Sequence, residues 1–109
     1  PAYLNQLLAV ETTLVPEDVL TQTQRIEQEL GRVRHEKWES RVIDIDLLYV
    51  DNLVRGSETL TLPHPYLHKR RFTLVPLVEI APDFVHPLLG KTSLELLAAC
   101  EDTGEVIAL

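Results

Sequence analysis

Two aspartates placed two residues apart in an apolar segment are the residues best suited to chemistry. Asp44 and Asp46 lie on either side of Ile45 within residues 42–50. In a strand, alternate residues share a face, so both carboxylates would project to the same side. Their mutual repulsion favours a bound divalent cation, and Mg²⁺ commonly takes one or two carboxylates together with substrate phosphates. The alternative is that both aspartates face solvent on a one-sided sheet.

Arginines in the preceding polar loop suit a polyphosphate. Arg41 precedes Asp44 by three residues, and Arg32 and Arg34 lie earlier in the same loop. A guanidinium group presents a planar fork of donors that matches phosphate oxygens. The sequence therefore predicts that this loop binds a polyphosphate, while the two aspartates bind the metal ions that accompany the phosphates. A solvated surface loop is the competing interpretation.

The only tryptophan of the chain, Trp38, also lies in this polar loop. Its neighbours are Lys37 and Glu39, so it is not part of an apolar core segment. A tryptophan in such a loop favours a lid that stacks on a flat ligand. A hydrophobic plug that anchors the loop is the alternative.

A second polar cluster follows a proline-rich turn and contains His64, Tyr66, His68 and Arg70. Zinc ligation is the less favoured interpretation, because no cysteine accompanies the histidines and they flank a proline turn rather than a regular helix. The sequence contains no glycine-rich phosphate loop and no serine in a nucleophile elbow.

The elements that would position these residues follow from apolar spacing, caps and turns. Pro16, with acidic residues after it, suits the start of a helix, and Gly31 is a candidate C-cap. Gln24 and Glu27 lie three residues apart near the end of that helix, where an exposed polar face is the simplest interpretation. The predicted elements are a strand at 3–12, a helix at 16–30, a strand at 42–50, a hairpin at 53–55 and 59–62 around Gly56, a helix at 70–80, a helix from a capping box at 92–95 to Cys100, and a strand at 105–109. Strands and helices in mixed order predict an α+β fold.

Composition bounds the class of protein. The chain has 109 residues and a formal net charge of −7, which fits one domain and argues against duplex DNA or an anionic membrane as partner. No apolar run approaches the ~20 residues of a membrane helix. One cysteine excludes an internal disulfide framework, so a reducing compartment, most simply the cytoplasm, is expected.

These residues resemble the signature of the 6-hydroxymethyl-7,8-dihydropterin pyrophosphokinase family. The resemblance rests first on residues 41–48 (RVIDIDLL), preceded by residues 31–34 (GRVR) and Trp38. It continues in order through residues 3–5, 24–27, 63–66, 70–72 and 76–82. It implies a ferredoxin-like α/β sandwich with a mainly antiparallel sheet, in which residues 1–109 form one pyrophosphokinase domain equivalent to the C-terminal two-thirds of the family domain.

The resemblance also implies an activity and roles for the residues. The family moves a diphosphate from ATP to the hydroxymethyl group of a dihydropterin, leaving AMP. Asp44 and Asp46 would hold two Mg²⁺ ions that bridge the ATP phosphates. The residues implied for phosphate contacts in catalysis are Arg32, Arg34 and Arg41, and those implied for ATP binding are Gln24, Glu27, His64, Tyr66 and Arg70. The residues implied for the pterin are Tyr3, Asn5, Trp38 and Phe72.

Two departures from the family pattern affect these expectations. Glu39 and Ser40 stand where the family usually has Gly-Pro, which places a negative charge in the phosphate-binding loop. A strand, helix and strand that open the family domain are absent, so the sheet is expected to be incomplete at its N-terminus and to allow self-association through the exposed first strand. The alternatives are a catalytically incompetent fragment that only binds or associates, and an unrelated Mg²⁺-dependent phosphohydrolase with the same aspartate pair.

Overall fold

The computed structural model of the chain describes residues 4–32 and 43–108. Three α-helices and a small two-stranded sheet occur in this part of the chain, which confirms the α+β class. In chain order the elements are α1 (Pro16–Arg32), β1 (Arg55–Gly56), β2 (Thr61–Leu62), a 3₁₀-helix (Leu67–Lys69), α2 (Arg71–Ile80) and α3 (Ser93–Ala99). Within the two described ranges, no helix is long and apolar enough to cross a membrane.

The first helix begins where the sequence predicts and ends later. Pro16 opens α1, and the carbonyl of Val15 accepts hydrogen bonds from Asp18 N at 3.0 Å and Val19 N at 3.1 Å. The acidic first turn complements the positive end of the helix dipole. The prediction of Gly31 as C-cap was wrong, because α1 continues through it to Arg32. A glycine costs a helix about 1 kcal/mol at most, which is too little to end it where neighbouring residues favour continuation.

The predicted hairpin forms, with its reversal shifted along the chain. β1 and β2 pair antiparallel, with Arg55 opposite Leu62 and Gly56 opposite Thr61. Gly56 is therefore a strand residue, and the turn is made by residues 57–60. Ser57 holds this turn, since its backbone N donates to Leu60 O at 3.0 Å and its Oγ accepts from Leu60 N at 3.1 Å.

Three predicted strands do not form in the described residues. Residues 4–12, residues 43–49 and residues 105–108 have no regular secondary structure. A strand requires a partner to complete its ladder, and its local sequence does not supply one. In residues 43–49, hereafter the aspartate segment, the backbone bonds differently: Ile45 N donates to the side chain of Glu27, and Leu48 O accepts from His64 N at 2.9 Å.

The core lies between α2, α3 and the 3₁₀-helix. Leu67, Leu74, Leu77 and Leu96 are its buried residues. The partly buried residues that pack against it include two from the aspartate segment and are Leu7, Leu48, Tyr49, Ala81, Leu97 and Cys100. The C-terminal end of the aspartate segment is therefore anchored to the core, which leaves its N-terminal end to be fixed by polar contacts.

Both later helices agree with the sequence prediction. Thr92 caps α3 with a complete capping box, in which Glu95 N donates to Thr92 Oγ1 at 3.2 Å and Thr92 N donates to Glu95 Oε1 at 3.0 Å. The second helix contains Pro76 in its interior. The side chains of Thr73, Leu74 and Leu77 are buried on α2, so packing offsets the amide that proline lacks.

Candidate functional site

The paired aspartates flank a peptide group that α1 holds in place. Ile45 N donates a hydrogen bond of 2.8 Å to Oε2 of Glu27, which lies 18 residues earlier on α1. Asp44 and Asp46 are both exposed, whereas Glu27 is half-buried. The two exposed aspartates therefore lie on a short segment. A hydrogen bond to α1 fixes the backbone of this segment between them.

His64 lies beside the other end of the aspartate segment. Its backbone N donates to Leu48 O at 2.9 Å, and its Nδ1 accepts from Tyr66 N at 3.2 Å. Burial lowers the pKa of His64 most, Arg70 lowers it further, and the Asp46 carboxylate acts in the opposite direction. The side chain is therefore neutral near pH 7, and with Nδ1 acting as acceptor its proton resides on Nε2.

Arg70 lies close to two exposed aromatic rings. Its guanidinium carbon is 5.2 Å from the ring centroid of Tyr66 and 5.7 Å from that of Phe72. Both distances fall within the ~6 Å range of cation–π attraction. Lys69 Nζ adds a second cation at 5.9 Å from the Tyr66 ring. The structure therefore brings together three of the predicted ligand-binding residues, one charged and two aromatic.

A cavity of about 250 Å³ opens between α1, the aspartate segment and the hairpin. An ion pair between Arg55 of β1 and Glu17 of α1 links the hairpin to the first helix, two of the elements that line the cavity. Asp46 and His64 both line it, so the cavity is continuous with the predicted site. The remaining lining residues are Leu20, Ile45, Leu47, Glu58, Thr59, Leu60, Thr61 and Pro65.

The hairpin turn is the part of the site that sequence reasoning missed. Glu58 and Thr59 of the turn and Thr61 of β2 line the cavity, whereas the sequence predicts no ligand contact for this hairpin. Their place in the sequence, shortly before His64, is the one signal that could have indicated them. A carboxylate and two hydroxyls beside apolar side chains form a mixed surface of the kind that binds small polar ligands.

Other predicted site residues do not line the cavity, or they lie outside the described residues. Gln24 is exposed on α1, and Asn5 is exposed in the irregular segment 4–12. Arg32 ends α1 and is described by its backbone alone. The predicted residues outside the described ranges are Tyr3, Arg34, Trp38 and Arg41.

The structure also bears on metal binding. In residues 4–32 and 43–108 there is no group of three or more His, Cys, Asp or Glu side chains that could hold a metal ion. Asp44 and Asp46 supply hard oxygen donors in a pair, which is the number that Mg²⁺ sites often take from protein when a substrate completes the coordination. The donor set fits Mg²⁺ held jointly with a phosphate ligand.

An α+β chain with paired, exposed aspartates, a neutral histidine and an aromatic-flanked arginine carries residue types that suit a phosphate ligand. Comparison with known proteins identifies the family. The sequence model of 7,8-dihydro-6-hydroxymethylpterin-pyrophosphokinase matches residues 1–82. The chain belongs to this family, as the resemblance of its motifs predicts.

Curated relatives agree with this assignment. The chain is 41% identical over 104 residues to a 2-amino-4-hydroxy-6-hydroxymethyldihydropteridine pyrophosphokinase of Synechocystis sp., covering 95% of this chain and 53% of that protein. It is 44% identical over 102 residues to the Methylorubrum extorquens protein of the same name, covering 94% and 63%. The Haemophilus influenzae protein of that name is 46% identical over 87 residues, covering 80% and 54%.

The matched regions leave part of each relative, and part of this chain, uncovered. The chain spans little more than half the length of the Synechocystis protein. All the predicted site residues lie inside the family match at residues 1–82, whereas α3 and the residues after it lie beyond.

Proposed function

We propose that this chain acts as a pyrophosphokinase, transferring diphosphate from ATP to the hydroxymethyl group of 6-hydroxymethyl-7,8-dihydropterin and giving AMP and the pterin diphosphate. Its family membership supports the reaction class. The observation that carries the proposal to particular residues is that Asp46 and His64 line one cavity, and Arg70 acts on the pKa of that same histidine. The groups proposed to bind metal, nucleotide and phosphate are thus within electrostatic reach of His64.

Asp44 and Asp46 are proposed to hold two Mg²⁺ ions together with the ATP phosphates. Both carboxylates belong to exposed residues of one segment, which is anchored between them through Ile45 N. When bound, the metal ions neutralise phosphate charge and orient the phosphate chain.

The cavity is proposed to receive part of the nucleotide. Its volume of about 250 Å³ is below the ~300–1,000 Å³ of pockets that enclose a whole ligand, so the remainder of ATP would extend along the surface. The Nε2–H of neutral His64 can donate a hydrogen bond to it, and Arg70 can reach a phosphate. The further residues proposed for ATP and its phosphates are Gln24, Tyr66, Arg32, Arg34 and Arg41. Glu27 is proposed to act on the same site through its hydrogen bond from Ile45 N.

The pterin is proposed to stack on Phe72, whose side chain is 41% exposed and lies next to the Arg70 guanidinium. An exposed aromatic face suits a flat heterocycle. Trp38 is proposed as the opposite face of the sandwich, with Tyr3 and Asn5 completing the pterin site. In this proposal the two substrates lie on either side of Arg70.

The proposed reaction is a direct displacement. The pterin hydroxyl oxygen forms a bond to the β-phosphorus of ATP, the bond from that phosphorus to the α-phosphate oxygen breaks, and the hydroxyl proton passes to solvent. AMP leaves with the electron pair of the broken bond. The contribution of the chain is to position both substrates and offset negative charge, which is how phosphoryl transfer is generally accelerated.

The fold that would support this site is proposed to be the ferredoxin-like sandwich with a mainly antiparallel sheet. The exposure of Leu4, Leu8 and Val10, at 84%, 74% and 74%, supports association of residues 4–12 with another segment, including that of a second copy. Sedimentation at several concentrations tests self-association: a mass that rises with concentration supports it, and a constant monomer mass contradicts it.

A product assay tests the proposed function against its alternatives. The chain is mixed with ATP and Mg²⁺, with and without the dihydropterin, and AMP, ADP and free phosphate are separated and measured. AMP that forms only with the pterin supports the proposal. Phosphate released without the pterin identifies a phosphohydrolase, and nucleotide binding without any product identifies a chain that only binds.

A further inference from the structure

The N-terminus of α2 carries two of the groups proposed to face the substrates. Arg70 is the N-cap residue of α2, and Phe72 is the second residue of the helix. Arg70 has extended backbone angles (φ −118°, ψ 111°), and its side chain makes no capping hydrogen bond. The first amide groups of any helix lack partners within the helix, so this end needs acceptors from elsewhere.

Asp102 supplies such an acceptor from 31 residues further along the chain. Its Oδ2 accepts a hydrogen bond of 3.0 Å from the backbone N of Arg71, the first residue of α2. Its Oδ1 accepts from Gly104 N at 2.9 Å, which fixes the carboxylate in its own turn. Two hydrogen bonds are the main causes that lower the pKa of Asp102. The larger effect comes from Gly104 N and the next from Arg71 N. The carboxylate is therefore ionised and uses both oxygens at neutral pH.

The rest of α2 is fixed in another way. Leu74 and Leu77 are buried in the core, which holds the body of the helix. Thr73 N and Leu74 N donate to Arg70 O at 3.0 and 3.1 Å, which closes the first turn from the other side. Loss of the Asp102 contact would therefore loosen the start of α2 while its body stays packed.

We infer that Asp102 is a positioning residue that orients the start of α2, and with it Arg70 and Phe72, for ATP and the pterin. The inference rests on the proposed function for the identity of these two ligands. Arg71 is bonded covalently to both site residues, so a shift of its amide moves both side chains. Asp102 lies beyond the family match at residues 1–82, in a segment to which the family resemblance gives no role in the reaction.

The test compares Asp102→Ala with a variant that loses a helix cap elsewhere. Thr92→Ala removes the capping box of α3 and so matches the loss of a cap without touching α2. Calorimetry with ATP, Mg²⁺ and a dihydropterin analogue should give affinities about fivefold weaker for Asp102→Ala and unchanged for Thr92→Ala. Asp102→Asn should recover part of the affinity, because its single amide oxygen can accept one of the two hydrogen bonds. Glu101→Ala, which removes an exposed neighbouring charge, should bind as the unchanged chain does.

Amide hydrogen exchange gives a second measurement that needs no ligand. The Arg71 amide should exchange faster in Asp102→Ala than in the unchanged chain, while the amides in the last turn of α2 keep their rates. Equal affinities in Asp102→Ala and the unchanged chain, equal losses in Thr92→Ala, or an unchanged Arg71 exchange rate would each overturn the inference. If the unchanged chain binds neither ligand, the proposed function fails, whereas the exchange result still decides whether Asp102 fixes α2.

Discussion

Oε2 of Glu27 lies 2.8 Å from the backbone nitrogen of Ile45, so a carboxylate on α1 holds the peptide between Asp44 and Asp46. The family resemblance implies that Glu27 contacts ATP. In the structure its carboxylate bonds to the chain itself, at the one amide group where movement would shift both aspartates. If the two aspartates hold Mg²⁺ as proposed, Glu27 would influence metal affinity without touching the metal.

Substitution of Glu27 should therefore change the requirement for Mg²⁺. Glu27→Ala removes the acceptor for Ile45 N, and the Mg²⁺ concentration for half-maximal ATP binding should rise about tenfold. Glu27→Gln retains an acceptor oxygen and should fall between this variant and the unchanged chain. Glu29→Ala, which removes an exposed carboxylate paired with Arg25 on the same helix, serves as control. An identical Mg²⁺ dependence in Glu27→Ala would contradict the positioning role.

Neutralising either aspartate should abolish turnover while sparing the fold. Asp44→Asn and Asp46→Asn remove a charge that is proposed to bind metal from exposed positions, where substitution rarely disturbs packing. Mg²⁺-dependent loss of ATP should disappear in both variants, whereas circular dichroism and the unfolding midpoint should stay close to those of the unchanged chain. Turnover at the original rate in both variants would show that the aspartates hold no catalytic metal.

Ser93 should be a site where removing a hydroxyl increases stability. Its side chain is fully buried at the start of α3, and its Oγ has no hydrogen-bond partner among the described residues. A buried polar atom without a partner costs about 1–3 kcal/mol, so Ser93→Ala should raise the free energy of unfolding by about 1 kcal/mol. Ser57→Ala is the matched control. The Ser57 hydroxyl accepts a hydrogen bond from Leu60 N, so its removal should lower the free energy of unfolding. Urea denaturation measures both, and a less stable Ser93→Ala would contradict the prediction.

His86 should make the chain less stable in mild acid. The residue is 3% exposed, and its Nδ1 accepts from Leu88 N and Leu89 N, both at 3.1 Å. Burial and then His68 lower the pKa of His86 from its ordinary value of 6.5. The unfolded chain therefore takes up the proton near pH 6.5 and the folded chain only at lower pH. The stability that neutral His86 contributes is fully present above about pH 6.5. It is lost as the pH drops through the lowered pKa.

His86→Asn tests this pH dependence. An asparagine oxygen can replace Nδ1 as acceptor but does not titrate, so the loss of stability between pH 7 and pH 5 should be smaller than in the unchanged chain. The pKa of His64 is lowered as well, so part of the loss should remain. Urea midpoints at the two pH values provide the comparison. An equal loss in both proteins would mean that His86 does not contribute.

The sequence predicts the locally encoded elements and leaves the long-range contacts open. The capping box of Thr92 and Glu95 and the start of α1 at Pro16 depend on residues within a few positions, so their patterns are sufficient. A strand over residues 42–50 would need a partner strand. In the described part of the chain, the aspartate segment is not paired with one. Alternating apolar residues can indicate a strand but cannot specify its neighbour.

The same reason explains which site contacts were not foreseen. Glu27 and Ile45 are 18 residues apart, and Asp102 and Arg71 are 31 apart. Each joins a side chain to a backbone amide, and an amide carries no residue type that a sequence pattern could detect. The residue types in the sequence suggest which side chains could carry the chemistry, whereas the groups that hold those side chains in place emerge only from the fold.

The fate of each ATP phosphate tests the central claim most directly. ATP carrying a label on its β-phosphate, and separately on its γ-phosphate, is incubated with the chain, Mg²⁺ and the dihydropterin, and the products are separated. Diphosphate transfer predicts that both labels appear in the pterin product, with one AMP formed for each pterin diphosphate. Transfer of the γ label alone with formation of ADP, or release of either label as free phosphate without a pterin product, would contradict it.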